Sequence, residues 1–179
     1  MSDASALPAP DDTRPCVGCG MCCDGTLYSR AKVAPGEGPR IEAHGLQLTQ
    51  AEDRTYFRLP CLHERCGACT IYETRFEVCR TFHCALLRRY GAGEVSLEEA
   101  NAQVARAKHL LAEAIAAEPD AGMVVPRALA RARLGDAVAS TDLQARRAAG
   151  PAFLKIVALD AFLERWFRNK KDRHLDQPG

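Results

Sequence analysis

A chain of 179 residues, 47% hydrophobic and 26% charged, has the make-up of one globular domain with material for a sizeable core. Its formal charge of +1 gives no electrostatic reason to expect a nucleic-acid partner. No apolar run reaches the length that a membrane-spanning helix requires, so no membrane association is expected.

In chain order, residues 1–14, "MSDASALPAPDDTR", are polar and proline-rich and read as a disordered tail. They lack the basic start and apolar run of a signal peptide, which makes the cytoplasm the expected compartment. Thiols are kept reduced there, so the nine cysteines read as metal or redox ligands rather than as disulfides. All nine fall between Cys16 and Cys84, within a cysteine-cluster module expected over residues 15–92. In that module "TLYSRAKV" (26–33) predicts a short strand, and residues 33–45 read as loop, punctuated by Pro35, Gly36, Gly38, Pro39 and Gly45. "LQLT" and "YFRL" predict two more short strands. Such a segment has too little apolar surface to hold itself together, and bound metal is the expected source of stability.

Residues 93–179 read as a helical region. Ser96 and Glu99 form a capping box, after which Leu97, Ala100, Val104, Ala107, Leu111 and Ile115 recur at helical spacing until Pro119. Pro126 opens a further helix through "RALARARL", closed by Gly135, and "TDLQARRAAG" predicts another. Gly150 and Pro151 then punctuate the chain before a long amphipathic helix with Ala152, Ile156, Leu159, Leu163 and Trp166 on one stripe. The last stretch, "NKKDRHLDQPG", reads as a frayed tail. The expected fold class is mostly α with minor β. A metal-stapled, loop-rich module leads into helices that cover one side of it and offer a docking face to another protein.

The chemistry is concentrated in "CVGCGMCCDG". A C-x-x-C pair with an intervening glycine forms a tight turn that presents two thiolates to one ion, and zinc takes four such ligands at roughly 2.3 Å. Cys16 and Cys19 around Gly18 meet this need, as do Cys19 and Cys22 around Gly20. Three cysteines at this spacing plus a distant fourth also match the ligand run of a [4Fe–4S] cluster. Cys22 and Cys23 are neighbours, and in extended backbone neighbouring side chains point to opposite faces. Cys22 therefore serves one centre and Cys23 another. Two centres of four ligands need eight thiolates, and a second set follows in "CLHERCGACTIYETRFEVCRTFHC".

The C-x-x-C-x-x-C-C run, "PC" (60–61), "CTIYETR" (69–75), "CRTF" (79–82) and the final Cys84 resemble the YkgJ-like cysteine-cluster family, a zinc- or iron-chelating domain of mostly bacterial proteins. A related cluster occurs in flagellin lysine methylases. The resemblance covers residues 15–85 and implies Cys16, Cys19, Cys22, Cys23, Cys61, Cys69, Cys79 and Cys84 as metal ligands. Two features depart from it: Phe76 follows Arg75 where the family carries proline, and Cys66 is extra. Cys66 makes its own C-x-x-C with Cys69, so which of the nine is spare stays open.

Two thiolate-rich sites concentrate negative charge, and Arg75 and Arg80 inside the motif are expected to donate to thiolate or backbone. Tyr72 reads as a packing residue. His83 is a weaker candidate ligand, and His63 weaker still. Arg127, Arg131, Arg133, Arg146 and Arg147 are mixed with acids and form no basic stripe. No phosphate loop, dinucleotide fingerprint or nucleophile elbow is present. Eight thiolates without a carboxylate or histidine provide no group to activate water, which favours metal binding without catalysis. Zinc or iron in a structural, interaction or metal-handling role is the expected reading. The alternative is an iron–sulfur protein serving electron transfer or cluster-dependent chemistry.

Overall fold

The computed structural model describes residues 15–16, 18–117 and 127–176. The 1–14 tail, Pro119 and Pro126 lie outside these. Three short strands form the first sheet: β1 (Arg30–Lys32), β2 (Leu48–Ala51) and β3 (Arg54–Arg58), antiparallel in the order β1–β3–β2. Ala31 and Leu48 both stand opposite Phe57, and Thr49 opposite Tyr56. Glu52 and Asp53, both at positive φ, make the two-residue turn joining β2 to β3. Tyr56 and Phe57 are both fully buried although neighbours in a strand point to opposite faces, so this small sheet is covered on both sides. On one side Phe57 meets Phe76 edge-on at 5.8 Å. On the other, the Arg30 guanidinium lies 4.2 Å over the Tyr56 ring.

The three expected strands are found where β-prone residues cluster. Residues 33–45, read as loop, instead contain a helix, α1 (Gly38–Ala43), with Pro39 in its first turn and Ile41 fully buried. Proline lacks only an N–H that a first turn leaves unused, so it starts this helix rather than interrupting the chain. A two-strand hairpin follows, β4 (Glu64–Arg65) and β5 (Ala68–Cys69). Next come a 3₁₀ turn (Tyr72–Thr74), α2 (Glu77–Thr81) and α3 (Ala85–Gly91).

The helical region comprises α4 (Leu97–Ala116), α5 (Arg127–Ala139) and α6 (Leu143–Trp166). The capping box is complete: the Glu99 N–H donates to the Ser96 hydroxyl at 3.1 Å and the Ser96 N–H to the Glu99 carboxylate at 2.7 Å. Ala100, Ala107 and Ala114 form the buried face of α4, and Ile115, placed on that face by the sequence reading, is half exposed. Two punctuation readings are corrected. Gly135 does not close a helix, because α5 continues through it to Ala139 and packs Leu134 inward. Gly150 and Pro151 do not separate two helices either. Pro151 sits inside one continuous α6, whose Ala149, Ala152 and Ile156 are buried with Ala130 and Leu134 of α5. That packing outweighs the hydrogen bond that proline removes.

The C-terminal stretch is also more ordered than expected, forming a 3₁₀ helix (Lys170–Asp176) with Leu175 buried. The Ser29 N–H donates to the Leu175 carbonyl at 3.1 Å and Arg30 donates to the His174 carbonyl at 2.7 Å. Beside it lies a buried ion network. Arg127 pairs with Asp160 and Asp176, while Arg168 contacts the same two carboxylates at 3.3 and 3.1 Å. The same arginines donate to the Thr26 and Leu27 carbonyls at 2.7 and 3.2 Å. The helical region thereby grips the chain just after the first cysteine run. One core joins both parts, from Met21, Leu27 and Phe57 to Ala107, Leu159 and Leu163. Among the described residues no helix is long and apolar enough to cross a membrane.

Candidate metal centre

The first cysteine run is a succession of tight turns. Gly18 and Gly20 sit at φ +75° and +74°, the left-handed region open to glycine. The Cys19 N–H bonds the Cys16 carbonyl at 3.1 Å, and the Cys23 N–H bonds the Gly20 carbonyl at 2.7 Å. Met21, fully buried, pins the loop to the core. From α4, Lys108 Nζ donates to the Gly18 carbonyl at 2.6 Å.

Three further segments close around this run. The Cys61 N–H donates to the Cys23 carbonyl at 2.7 Å, which ties the chain after β3 to the doubled cysteine. The β4–β5 hairpin turns through Cys66 and Gly67, both at positive φ. Glu64 braces the turn by accepting the Gly67 N–H at 2.6 Å. Here the two loops cross backbone on backbone: a Cβ on Gly67 would lie 2.7 Å from the Gly18 oxygen, and one on Gly20 would lie 2.9 Å from the Gly67 Cα. The third segment is held by α1. The Glu37 carboxylate accepts the Glu77 N–H at 3.0 Å, capping α2, and Arg40 bonds the Thr74 carbonyl. Between these clamps Phe76 is buried and Cys79 is carried on α2. Cys84 caps α3, its sulfur accepting the Leu87 N–H at 3.4 Å.

A cavity of about 230 Å³ opens between these segments. Its lining includes Cys16, Cys19, Cys22, Cys23, Cys61, Cys69, Cys79 and Cys84, all eight residues implied as ligands, and it omits Cys66. At the tip of the hairpin, in left-handed conformation and exposed, Cys66 is the cysteine that stands apart. Burial raises the Cys22 thiol well above its ordinary value, and the nearby Cys84, Cys19, Cys23 and Cys16 add to the effect. Burial pushes Cys23 up to about 12, and the sulfurs beside it are Cys79, Cys61 and Cys69. Cys79 is held at about 11 by burial and then by Cys61 and Cys69, while Cys19 is held at about 11 by burial, with Cys84 as its neighbouring thiol. Cys22 thus has Cys84, Cys19, Cys23 and Cys16 as its neighbouring thiols, and Cys23 has Cys79, Cys61 and Cys69.

A donor set of eight thiols, carried by turns and short helices around one apolar space, fits the soft-ligand preference of zinc and of iron–sulfur centres. Among the described residues no three or more His, Cys, Asp or Glu side chains already stand in the close array that grips an ion.

The neighbouring candidates separate clearly. Arg75 lines the cavity, donates to the Tyr72 carbonyl at 3.0 Å and stacks 3.7 Å over the Tyr72 ring, and its charge favours the Cys79 thiolate. Arg80, expected to play the same part, is exposed and lies outside the lining. His83 and His63 are also outside it. The His83 carbonyl accepts from Asn169 at 3.1 Å, and the His63 ring bonds the His44 carbonyl at 3.1 Å. Sequence reasoning missed Lys108, Glu37 and Glu64. Each acts through a contact remote in sequence or through backbone, and no motif marks them.

A family model described as "CxxCxxCC: putative zinc- or iron-chelating domain" matches residues 15–107, the cysteine module and the first half of α4. No curated protein and no solved structure matches the chain.

Proposed function

The chain belongs to the CxxCxxCC zinc- or iron-chelating family, and from that premise we propose that it binds metal at two four-thiol centres. Cys16, Cys19, Cys22 and Cys84 hold one, and Cys23, Cys61, Cys69 and Cys79 hold the other. The role that follows is a structural or metal-handling module. The observation that carries this reading is the sorting of nine cysteines: eight line one cavity, and the ninth, Cys66, stays outside it.

Closed sites made entirely of thiolate stabilise a fold or store an ion, because they leave no open position on the metal for water. Arg75 and Lys108 then supply positive charge next to the second and first sets, offsetting the surplus negative charge of four thiolates around a divalent ion. Bound metal would supply folding energy to a module whose strands are two to five residues long.

A second reading has its own support. In the first set three ligands follow the C-x-x-C-x-x-C spacing and a distant cysteine completes it, which is the run of a [4Fe–4S] site. On this reading the centre serves electron transfer or cluster-dependent chemistry.

Elemental analysis with a visible spectrum, on protein purified without air or an affinity metal column, decides between them. About two zinc per chain and no colour supports the closed structural centres. Iron with acid-labile sulfide and a brown colour favours the cluster. Folded protein with neither metal overturns both.

A further inference from the structure

The two sets of thiols are embedded very differently. Cys23, Cys61, Cys69 and Cys79 come from four separate segments, and between Pro60 and Cys84 the one buried residue is Phe76. The hairpin there has two-residue strands and α2 has no fully buried side chain, so beyond Phe76 this stretch reaches the core only through partly buried side chains such as Ile71, Val78 and Phe82. The other set takes Cys16, Cys19 and Cys22 from one short loop held independently of any metal. Met21 and Leu27 are fully buried, Lys108 bonds the Gly18 carbonyl, and Arg127 and Arg168 hold Thr26 and Leu27. Its fourth member, Cys84, is anchored on the next residue, where the Ala85 N–H donates to the Phe167 carbonyl at 2.9 Å. This set also contains Cys16, the one exposed thiol of the eight.

We propose that the two centres divide their labour: Cys23, Cys61, Cys69 and Cys79 form the structural staple, and Cys16, Cys19, Cys22 and Cys84 form an exchangeable site whose divalent ion can leave without unfolding the chain. This rests on the two-centre reading above. An ion that ties the segments of Cys61, Cys69 and Cys79 to the loop at Cys23 contributes ordering free energy to them and is lost with that order. An ion held by a prebuilt loop contributes little to the fold and can be passed on. Exchange begins at exposed Cys16. Each sulfur–metal bond that breaks is replaced by a bond to the incoming chelator, and the freed thiolate takes a proton from solvent, with no change of oxidation state.

The test uses the full chain saturated with zinc alone, titrated with a coloured zinc chelator while far-UV circular dichroism and trypsin cleavage between Pro60 and Cys84 are followed. One zinc equivalent is expected to leave in a fast phase with the spectrum unchanged. The second leaves slowly, together with loss of structure and cleavage in that stretch. Cys16→Ser is expected to lose the fast equivalent and keep its melting transition. Cys69→Ser is expected to lose the slow equivalent and become trypsin-sensitive. Release in a single phase with unfolding overturns the division of labour, as does a Cys16→Ser protein as disordered as Cys69→Ser. If neither variant loses any zinc, the two-centre reading falls as well. Should Cys69→Ser fail to fold, the wild-type phases and Cys16→Ser decide.

Discussion

Replacing Gly67 with alanine tests the crossing of the two cysteine loops directly. The residue sits at φ +84°, and an added Cβ would lie 2.7 Å from the Gly18 carbonyl oxygen and 3.1 Å from its carbon, with backbone on both sides. Left-handed backbone costs a non-glycine residue about 1–2 kcal/mol, and forced overlap in a packed site typically adds about 1–3 kcal/mol. Gly36→Ala isolates the first contribution, because Gly36 has nearly the same φ, +82°, and nothing within 4 Å of its Cβ position. Gly67→Ala should therefore melt lower than Gly36→Ala by about 2 kcal/mol, or roughly 4–8 °C for a chain of this size. Because the hairpin carries Cys69, Gly67→Ala should also bind zinc more weakly in a chelator competition, whereas Gly36→Ala should not. Equal melting temperatures and equal zinc affinities for the two variants would show that the loops do not cross as described.

Zinc affinity should fall steeply as pH drops from about 8 to 6, because each thiol must lose its proton to bind. Burial holds Cys19 and Cys79 at about 11 and Cys23 at about 12 against an ordinary 9.0, so protons compete throughout that range. The thiols' own contribution to folding has the opposite sign: it is complete below pH 9 and is lost as pH rises through 11–12. A pH-independent zinc affinity, read by competition, would contradict binding through these thiols. Arg75→Gln should weaken metal binding about tenfold, while Arg80→Gln, exposed and outside the cavity, should leave the competition curve unchanged. Arg127→Met removes the buried partner of Asp160 and Asp176 and should cost about 3 kcal/mol in chemical denaturation. A variant as stable as wild type would mean that the network does not fasten the helical region.

The cysteine clusters were legible in the sequence because C-x-x-C spacing with glycine sets a turn locally, whereas the choice of eight among nine was implied only by the family resemblance. The capping box and the placing of Ala100 and Ala107 on one buried face of α4 were legible for the same reason, each depending on neighbours three or four residues away. Cys66 was ambiguous in sequence because it repeats the C-x-x-C pattern with Cys69. Only the hairpin register, which places Cys66 at the tip and Cys69 in the strand, separates them. Gly135 and Pro151 read as helix ends by local preference. Tertiary packing of α5 against α6 overrode that preference, and burial on a helix face depends on a partner that the sequence does not specify locally. The C-terminal stretch looked polar and frayed because its anchors, Ser29 and Arg30, lie at the far end of the chain. By itself the sequence determined that nine cysteines cluster between Cys16 and Cys84 and that Cys22 and Cys23 are adjacent. Which eight of them line one cavity, the exclusion of Cys66 from it and the placing of Lys108 beside Gly18 were decided by tertiary structure alone, because they depend on which distant segments meet.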